Sequence, residues 1–175
     1  MPEGLDFSRY DYNLAGEPYA FEDYAIGERL DHSDGMCVEE AEHQIATRLY
    51  QNTAKVHFNQ YEQSAGRFGR RLIYGGVAIS LARALSFNGL ANAQLMLAVN
   101  AGKHVNPLFS GDTVFAWSEI LDKAHLAPNV GALRVRLVAT KNQPCAEFPG
   151  NATSEKPDPS VILDFDYWVA IPSRG

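Results

Sequence analysis

The chain has 175 residues, of which 46% are hydrophobic and 21% charged, and these values fit one compact globular domain. A net charge of −6 excludes the basic face of a nucleic-acid binder, although a local group of basic side chains could still hold an anionic ligand. We see no signal-peptide pattern, no bilayer-spanning apolar run and no C-x-x-C pair, since Cys37 and Cys145 are the only cysteines. We therefore expect a cytoplasmic protein with reduced thiols.

The first part of the chain predicts an arm, a short strand and a helix. Residues 1–20 are polar and aromatic without a clean period, which predicts an arm or linker ahead of a single domain over residues 21–175. Residues 28–33 can form a short strand. Residues 38–51 carry apolar side chains at helical spacing and acidic ones in the first turn, where the helix dipole favours them, so they predict an amphipathic helix.

A second helix and four strands follow. Residues 77–91 are apolar on nearly all sides, which predicts a buried helix with a C-terminal stop at Asn88 and Gly89. Beyond it the period changes to two, and the predicted strands cover residues 94–100, 113–121, 133–140 and 161–171. Turns and loops are predicted at residues 107–112, 122–131 and 142–159. This order predicts an α+β fold in which an antiparallel sheet wraps around one central buried helix.

A histidine and a pair of glycines are the first candidates for chemistry. His57 stands where the first helical pattern stops, five residues beyond Asn52, and imidazole can take and give a proton near neutral pH. Gly75 and Gly76 open the apolar helix, where amide groups without a helical partner could hold a thioester oxygen as it becomes enolate-like. Taken alone, each feature favours a structural explanation: a histidine at a helix end, and a tight turn that needs positive φ.

Basic side chains lie between these two features. Arg67, Arg70 and Arg71, with Lys55 nearby, could bind a carboxylate or a phosphate. At least one of the three arginines is expected to lie in a solvated loop instead.

The remaining histidines and two late carboxylates give weaker signals. The histidines match no metal-ligand spacing; they are His32, His43, His104 and His125. His104 could approach the cleft, whereas His43 is expected on the surface or in a structural role. Asp164 and Asp166 alternate with the apolar face of the last strand and are expected to face solvent.

Four short segments match segments of a known protein family and occur in the same order along the chain. They are residues 21–28, the segment from Asn52 to His57, the Gly75-Gly76 helix start and the turn 106–113. Together they make the chain resemble the MaoC-like, R-specific enoyl-CoA hydratases of the hotdog fold. The resemblance covers nearly the whole chain and is strongest to the mesaconyl-CoA branch of that family, in the C-terminal half of its two-hotdog chains. Further segments carry it, at residues 4–11, 46–54, 80–93 and 161–168.

The resemblance implies a hotdog fold and a reaction. The reaction would be reversible hydration of an enoyl-CoA whose β-carbon bears a carboxylate, mesaconyl-CoA giving β-methylmalyl-CoA. His57 would be the general base, the N–H of Gly76 would stabilise the thioester enolate, and Asn52 would hold the water. The family motif has an aspartate at the position of Asn52 and a histidine at that of Gly75. Because asparagine cannot exchange a proton, His57 would both take the proton and return it.

The resemblance also implies the surroundings of this centre. Substrate-binding residues are expected to be Lys55, Arg67, Arg70, Arg71, Tyr74, Gly75 and His104. No metal and no cofactor is implied, because CoA is part of the substrate. A homodimer or a second hotdog half is expected as partner, with no nucleic acid or membrane. Three alternatives stay open: a hotdog acyl-CoA thioesterase, a non-catalytic partner half, and a hydratase that prefers crotonyl-CoA.

Overall fold

The computed structural model describes residues 4–150 and 158–175, and it shows an antiparallel sheet that curves around one helix. The helices are α1 (Tyr12–Ala15), a single 3-10 turn (Phe21–Asp23), α2 (Glu40–Leu49), α3 (Lys55–Phe58), α4 (Gln60–Ser64), α5 (Gly75–Leu85) and α6 (Phe87–Leu90). The strands are β1 (Arg29–Asp31), β2 (Met36–Cys37), β3 (Leu95–His104), β4 (Thr113–Ala127), β5 (Val130–Lys141) and β6 (Val161–Pro172). The predicted α+β class with a central helix is confirmed.

The strands of the sheet run in the order β1-β4-β5-β6-β3, and β2 also pairs with β4. All pairs are antiparallel. The prediction of a loop over residues 122–131 was wrong, because β4 continues to Ala127 and β5 begins at Val130. Gly131 explains part of this error: a Cβ there would lie 2.2 Å from the Phe21 ring, so the glycine is a packing position and not a turn.

Helix α5 lies in the concave face of this sheet and supplies much of the core. Its buried side chains are Val77, Ala78, Leu81, Ala82 and Leu85, and the helix contacts β4, β5 and β6. Full burial of an aliphatic side chain contributes roughly 1.5–3 kcal/mol, so the sheet fixes the position of this helix firmly. Whatever surrounds the first turn of α5 is therefore held at a well-defined place.

The same helix is shorter than the sequence predicted. It ends at Leu85, and inside the following turn Asn88 has ψ 97° and Gly89 has φ 96°. Two side chains from the N-terminal part of the chain hydrogen-bond to carbonyl oxygens of this turn. The His32 ring bonds to the Asn88 carbonyl at 2.7 Å, and the Tyr24 hydroxyl donates to the Gly89 carbonyl at 2.8 Å. The predicted Asn-Gly stop therefore lies in the turn after the helix, where these tertiary bonds hold it.

Helix α2 is present as predicted, but its apolar side chains point the other way. Ile45 is 57% exposed and Leu49 is 71% exposed, while His43 and Thr47 are buried. The helix therefore turns a polar stripe toward the interior and leaves an apolar stripe on the outside.

The N-terminal arm packs on the turn that follows α5. The Tyr10 hydroxyl donates to Asn92 Oδ1 at 2.6 Å, and Asn92 Nδ2 donates to the carbonyl groups of Glu17 and Tyr19 at 2.8 and 2.7 Å. The first three residues of the predicted arm, and residues 151–157 of the predicted loop 142–159, lie outside the described residues. In the described part of the chain, no helix combines the length and apolarity needed to cross a membrane.

Candidate active site

The candidate site is built around the first turn of α5. Tyr74 is the residue before this helix and offers no side-chain cap, although its carbonyl accepts the Val77 N–H at 2.9 Å. The first amide groups of a helix have no partner inside it. The N–H groups of Gly75 and Gly76 are therefore donors for a ligand at the positive end of the helix dipole.

Aromatic rings fill the space that side chains at the two glycines would take. A Cβ at Gly75 would lie 2.4 Å from His104 Nε2, and a Cβ at Gly76 would lie 2.7 Å from the Tyr74 ring. Neither glycine has positive φ. The conformational explanation for this glycine pair was therefore wrong: what requires the glycines is the close approach of two rings.

His57 lies on α3 beside this turn. Its Nδ1 is 3.0 Å from the Leu72 carbonyl oxygen, and its ring centroid is 5.8 Å from that of Tyr74. A carbonyl oxygen can only accept, so Nδ1 carries the proton and the neutral ring has its lone pair on Nε2. The N–H of Leu72 also donates to the Val56 carbonyl at 3.1 Å, which ties α3 to the segment leading into α5.

His104 reaches the same turn from the end of β3. Burial of the ring against its neighbours lowers its pKa, and the nearby His57 imidazole lowers it further. Both effects favour a neutral His104 ring at neutral pH. The structure thus brings His57, Tyr74, Gly75, Gly76 and His104 together at this turn.

His43 also belongs to this group, although its position could not be predicted from the sequence. It is fully buried on the inner side of α2, and its ring centroid lies 6.3 Å from that of His57 at an interplanar angle of 90°. Gln44 Nε2 lies 3.4 Å from His43 Nδ1 and 3.3 Å from the His57 carbonyl oxygen. His43 Nε2 has no protein partner within the described residues, and burial lowers the pKa of the ring. Its position followed from the orientation of α2, which the apolar pattern did not reveal.

The side chain of Asn52 is hydrogen-bonded to the backbone of its own segment. Its Oδ1 accepts the Ala54 N–H at 2.9 Å, and its own N–H donates to the Thr47 carbonyl at 2.9 Å. The side chain borders a groove between α2 and α3 that Arg48 and Phe58 also line. Among the residues that the structure describes, no hydrogen bond joins Asn52 to His57.

Two of the four basic candidates are paired with carboxylates. Arg71 forms an ion pair with Glu40, and its Nη1 donates to the Phe58 carbonyl at 3.4 Å. Lys55 Nζ lies 2.9 Å from a carboxylate oxygen of Glu62. Arg71 therefore ties the loop before α5 to the first turn of α2.

The other two arginines lie over aromatic rings. The guanidinium carbon of Arg70 is 3.9 Å from the Phe109 ring centroid, and that of Arg67 is 5.1 Å from the Phe68 centroid. Such contacts hold a guanidinium in place while its N–H groups stay open to an anion. Lys141, which the sequence did not single out, lies 5.8 Å from the same Phe109 ring.

The late carboxylates are surface ion pairs, as expected. Asp166 pairs with Arg134 at 2.6 Å, and Asp164 pairs with Arg136 at 2.7 Å. Within residues 4–150 and 158–175 no group of three or more His, Cys, Asp or Glu side chains is placed to hold a metal ion.

A single helix enclosed by an antiparallel sheet, with an imidazole beside free amide groups at its first turn, defines a hotdog domain of the MaoC-like kind. Over 100% of its length the chain is 58% identical to a β-methylmalyl-CoA dehydratase from Chloroflexus aurantiacus, and over 98% it is 60% identical to a mesaconyl-CoA hydratase from Cereibacter sphaeroides. It spans about half of each relative, 50% and 49%.

A solved structure agrees with this assignment. A Chloroflexus aurantiacus protein described as a MaoC domain dehydratase superposes with a TM-score of 0.93 at 55% identity, over 100% of this chain and 50% of that one. No protein-family model matches the chain. The chain belongs to the MaoC-like hotdog family.

Proposed function

We propose that the chain hydrates mesaconyl-CoA reversibly to β-methylmalyl-CoA, as one hotdog of a two-hotdog site. Two relatives of 58% and 60% identity carry the names of this dehydratase and hydratase, and this chain matches half of each. This chain itself carries His57 and the open first turn of α5. CoA enters as part of the substrate, and the reaction as written needs no metal and no redox cofactor.

The orientation of His57 is the observation that carries this proposal. Because Nδ1 is committed to the Leu72 carbonyl, Nε2 is the basic nitrogen. In the hydration direction Nε2 takes a proton from water, and the hydroxide forms a bond to the β-carbon. The electron pair of the double bond moves toward the thioester, whose oxygen becomes an enolate held by the N–H groups of Gly75 and Gly76.

The same imidazole can complete the reaction. His57, now protonated at Nε2, gives that proton to the α-carbon, and the enolate electrons form the new C–H bond. Water has then been added across the double bond and His57 is neutral again. One base serves both steps, so the hydrogen and the hydroxyl arrive on the same face of the substrate.

The anionic parts of the substrate need cationic partners. Arg71 and Lys55 are paired with Glu40 and Glu62, whereas Arg67 and Arg70 lie over aromatic rings. We therefore assign the substrate carboxylate or the CoA phosphates to Arg67 and Arg70.

A second candidate, a non-catalytic partner half, is favoured by Asn52. An amide cannot exchange a proton, and its oxygen is already bound to the Ala54 N–H. In that case this hotdog would shape the acyl pocket, and the base would come from the other hotdog.

The exposed edge of the sheet supports a second hotdog as partner. Strand β3 pairs with β6 on one side only, and Leu95, Met96 and Val99 on it are exposed. An open apolar edge is a template for pairing with another strand. Val99→Lys would then dissociate the assembly while Val99→Thr keeps it, as light scattering would report; equal masses for both variants would contradict pairing at β3.

One assay separates the candidates. The purified chain is given mesaconyl-CoA or crotonyl-CoA, with and without a candidate second hotdog, while enoyl-thioester absorbance and free CoA thiol are followed. We expect absorbance loss with mesaconyl-CoA and no thiol release. Thiol release would indicate a thioesterase, and turnover only after the second hotdog is added, unaffected by loss of His57, would indicate a non-catalytic half.

A further inference from the structure

The ring of His104 occupies the space that a side chain at Gly75 would need. Glycine costs about 1 kcal/mol relative to alanine in a helix, and the φ of Gly75 does not require it. A Cβ would lie 2.4 Å from Nε2 and 2.8 Å from Cε1 of His104. The first position of α5 therefore brings an imidazole nitrogen against the backbone whose amide faces the substrate.

The fold holds His104 in this position. The residue is the last of β3 and is paired with Leu163 of β6, so the register of the sheet sets where its side chain starts. The ring packs against the first turn of α5, but the residue as a whole remains exposed, so a ligand can reach it. His104 lies against Gly75, and the ring of His57 lies 5.8 Å from that of Tyr74, the residue before Gly75.

We propose that His104 is a catalytic residue that donates a hydrogen bond from Nε2 to the thioester oxygen, beside the N–H groups of Gly75 and Gly76. This inference rests on the proposed function. His104 stays neutral throughout and transfers no proton, so the atom balance of the hydration is unchanged. His57 moves the proton, and His104 stabilises the negative charge that develops on oxygen.

The two imidazoles are suited to these separate tasks. Nδ1 of His57 is bound to a carbonyl, which leaves a basic Nε2. His104 has a lowered pKa because of burial and the neighbouring His57 ring. A neutral ring can donate to the oxygen without losing its proton to the enolate.

The test combines turnover with a direct view of the carbonyl group. His104→Leu removes the donor, His104→Gln keeps an N–H donor, and His125→Leu is the control at an exposed histidine on β4. The chain is assayed with mesaconyl-CoA, alone and with a second hotdog. Infrared difference spectra of a bound saturated acyl-CoA follow the thioester carbonyl band, which donors shift to lower frequency.

Loss of one oxyanion donor typically costs about 100-fold or more in kcat. We expect this loss for His104→Leu with little change in KM, a smaller loss for His104→Gln, and wild-type values for His125→Leu. Gly75→Ala, which pushes the ring away, should lose about as much, and the double variant should lose no more than either single variant. The thioester carbonyl band of an acyl-CoA bound to His104→Leu should shift less toward lower frequency than that of an acyl-CoA bound to the wild type.

Two results would overturn the proposal. One is a folded His104→Leu variant with kcat within about threefold of the wild type, since a lost donor costs far more; the other is a carbonyl band identical to that of the wild type. A failure of the proposed hydration looks different: the wild type would not consume mesaconyl-CoA, while the carbonyl band would still report whether His104 binds a thioester.

Discussion

The two ends of helix α5 differ in how their hydrogen-bonding groups are used. At the C-terminal end, the His32 ring bonds the Asn88 carbonyl with Nδ1 at 2.7 Å and the Ser118 hydroxyl with Nε2 at 2.8 Å. At the N-terminal end, His57 makes the same Nδ1 bond to a carbonyl at 3.0 Å, but in the described residues its Nε2 has no protein partner. One histidine is saturated and the other keeps a free nitrogen.

The neighbouring groups repeat this contrast. Arg83, near the C-terminal end, donates to Ser86 and to the Tyr167 hydroxyl at 2.9 Å each. At the N-terminal end the amides of Gly75 and Gly76 have no partner inside the helix. Side-chain hydrogen bonds thus occupy the polar groups at the C-terminal end of α5, whereas the first amide groups at its N-terminal end stay open. His32, with both nitrogens bonded, therefore serves the fold, and the free nitrogen of His57 is available for the proposed chemistry.

Removing the saturated histidine should have the largest effect on stability. His32→Leu leaves the Asn88 carbonyl and the Ser118 hydroxyl buried without partners, at a cost of about 1–3 kcal/mol for each group. We expect the free energy of unfolding in urea to fall by about 2–6 kcal/mol in total, with kcat of the remaining folded protein unchanged. His125→Leu is the control, because His125 is exposed. A large loss of kcat with unchanged stability would reverse the roles of the two ends.

Adding a methyl group at the N-terminal end of α5 should lower activity and leave stability nearly unchanged. In Gly76→Ala the new Cβ lies 2.7 Å from the Tyr74 ring, which must move within the candidate site. We expect kcat/KM to fall at least about tenfold, or about 1.4 kcal/mol in transition-state stabilisation, while stability changes by less than about 1 kcal/mol because alanine favours a helix. Unchanged kinetics would show that the first turn of α5 does not contact the substrate.

Acid should weaken the closed end. Burial lowers the pKa of His32 below the ordinary histidine value of 6.5. The unfolded chain therefore binds a proton that the folded chain rejects, so this contribution to stability is complete above pH 6.5 and is lost as the pH falls toward the lowered pKa.

The expected slope is at most about 1.4 kcal/mol per pH unit for this residue. Urea unfolding at a series of pH values measures it, and His32→Asn should flatten the curve. The burial of His43 lowers its pKa too, so some slope should persist in that variant. Equal slopes in the wild type and His32→Asn would exclude His32 as a source of the pH dependence of stability.

The smallest effect is expected away from both ends. Arg134 and Asp166 form an ion pair at 2.6 Å on the outer surface of the sheet, and exposed pairs of this kind contribute little. Arg134→Ala should change neither kcat nor the urea midpoint measurably. A clear loss of activity would mean that this surface of the sheet also contacts the substrate.

Much of the architecture could be predicted because the apolar periods are clear. The buried helix and the alternation in β5 and β6 follow from local sequence, whereas the candidate roles of His57 and Gly76 follow from the family resemblance. The extension of β4 and β5 into residues 122–131 was missed because small and charged residues such as Asp122 and Gly131 look like loop residues until Phe21 and the partner strand are in place.

Other parts of the site depended on contacts between distant residues. His43 was missed because α2 buries His43 and Thr47 and exposes Ile45 and Leu49, the reverse of its apolar pattern. The contact of His104 with Gly75 joins residues far apart in the chain, so spacing could not reveal it. Hydrogen-bond partners separate His32 from His57, and those partners exist only in the folded chain.

In the proposed hydration, the free nitrogen of His57 moves the proton. The direct measurement is the rate at which the His57→Ala variant hydrates mesaconyl-CoA, followed as loss of the enoyl-thioester absorbance. It is made under conditions in which the wild-type chain is active. General acid–base groups contribute about 10²–10⁴-fold, so we predict a loss of about 1,000-fold with an unchanged urea midpoint. Turnover close to that of the wild type in folded His57→Ala would contradict the account.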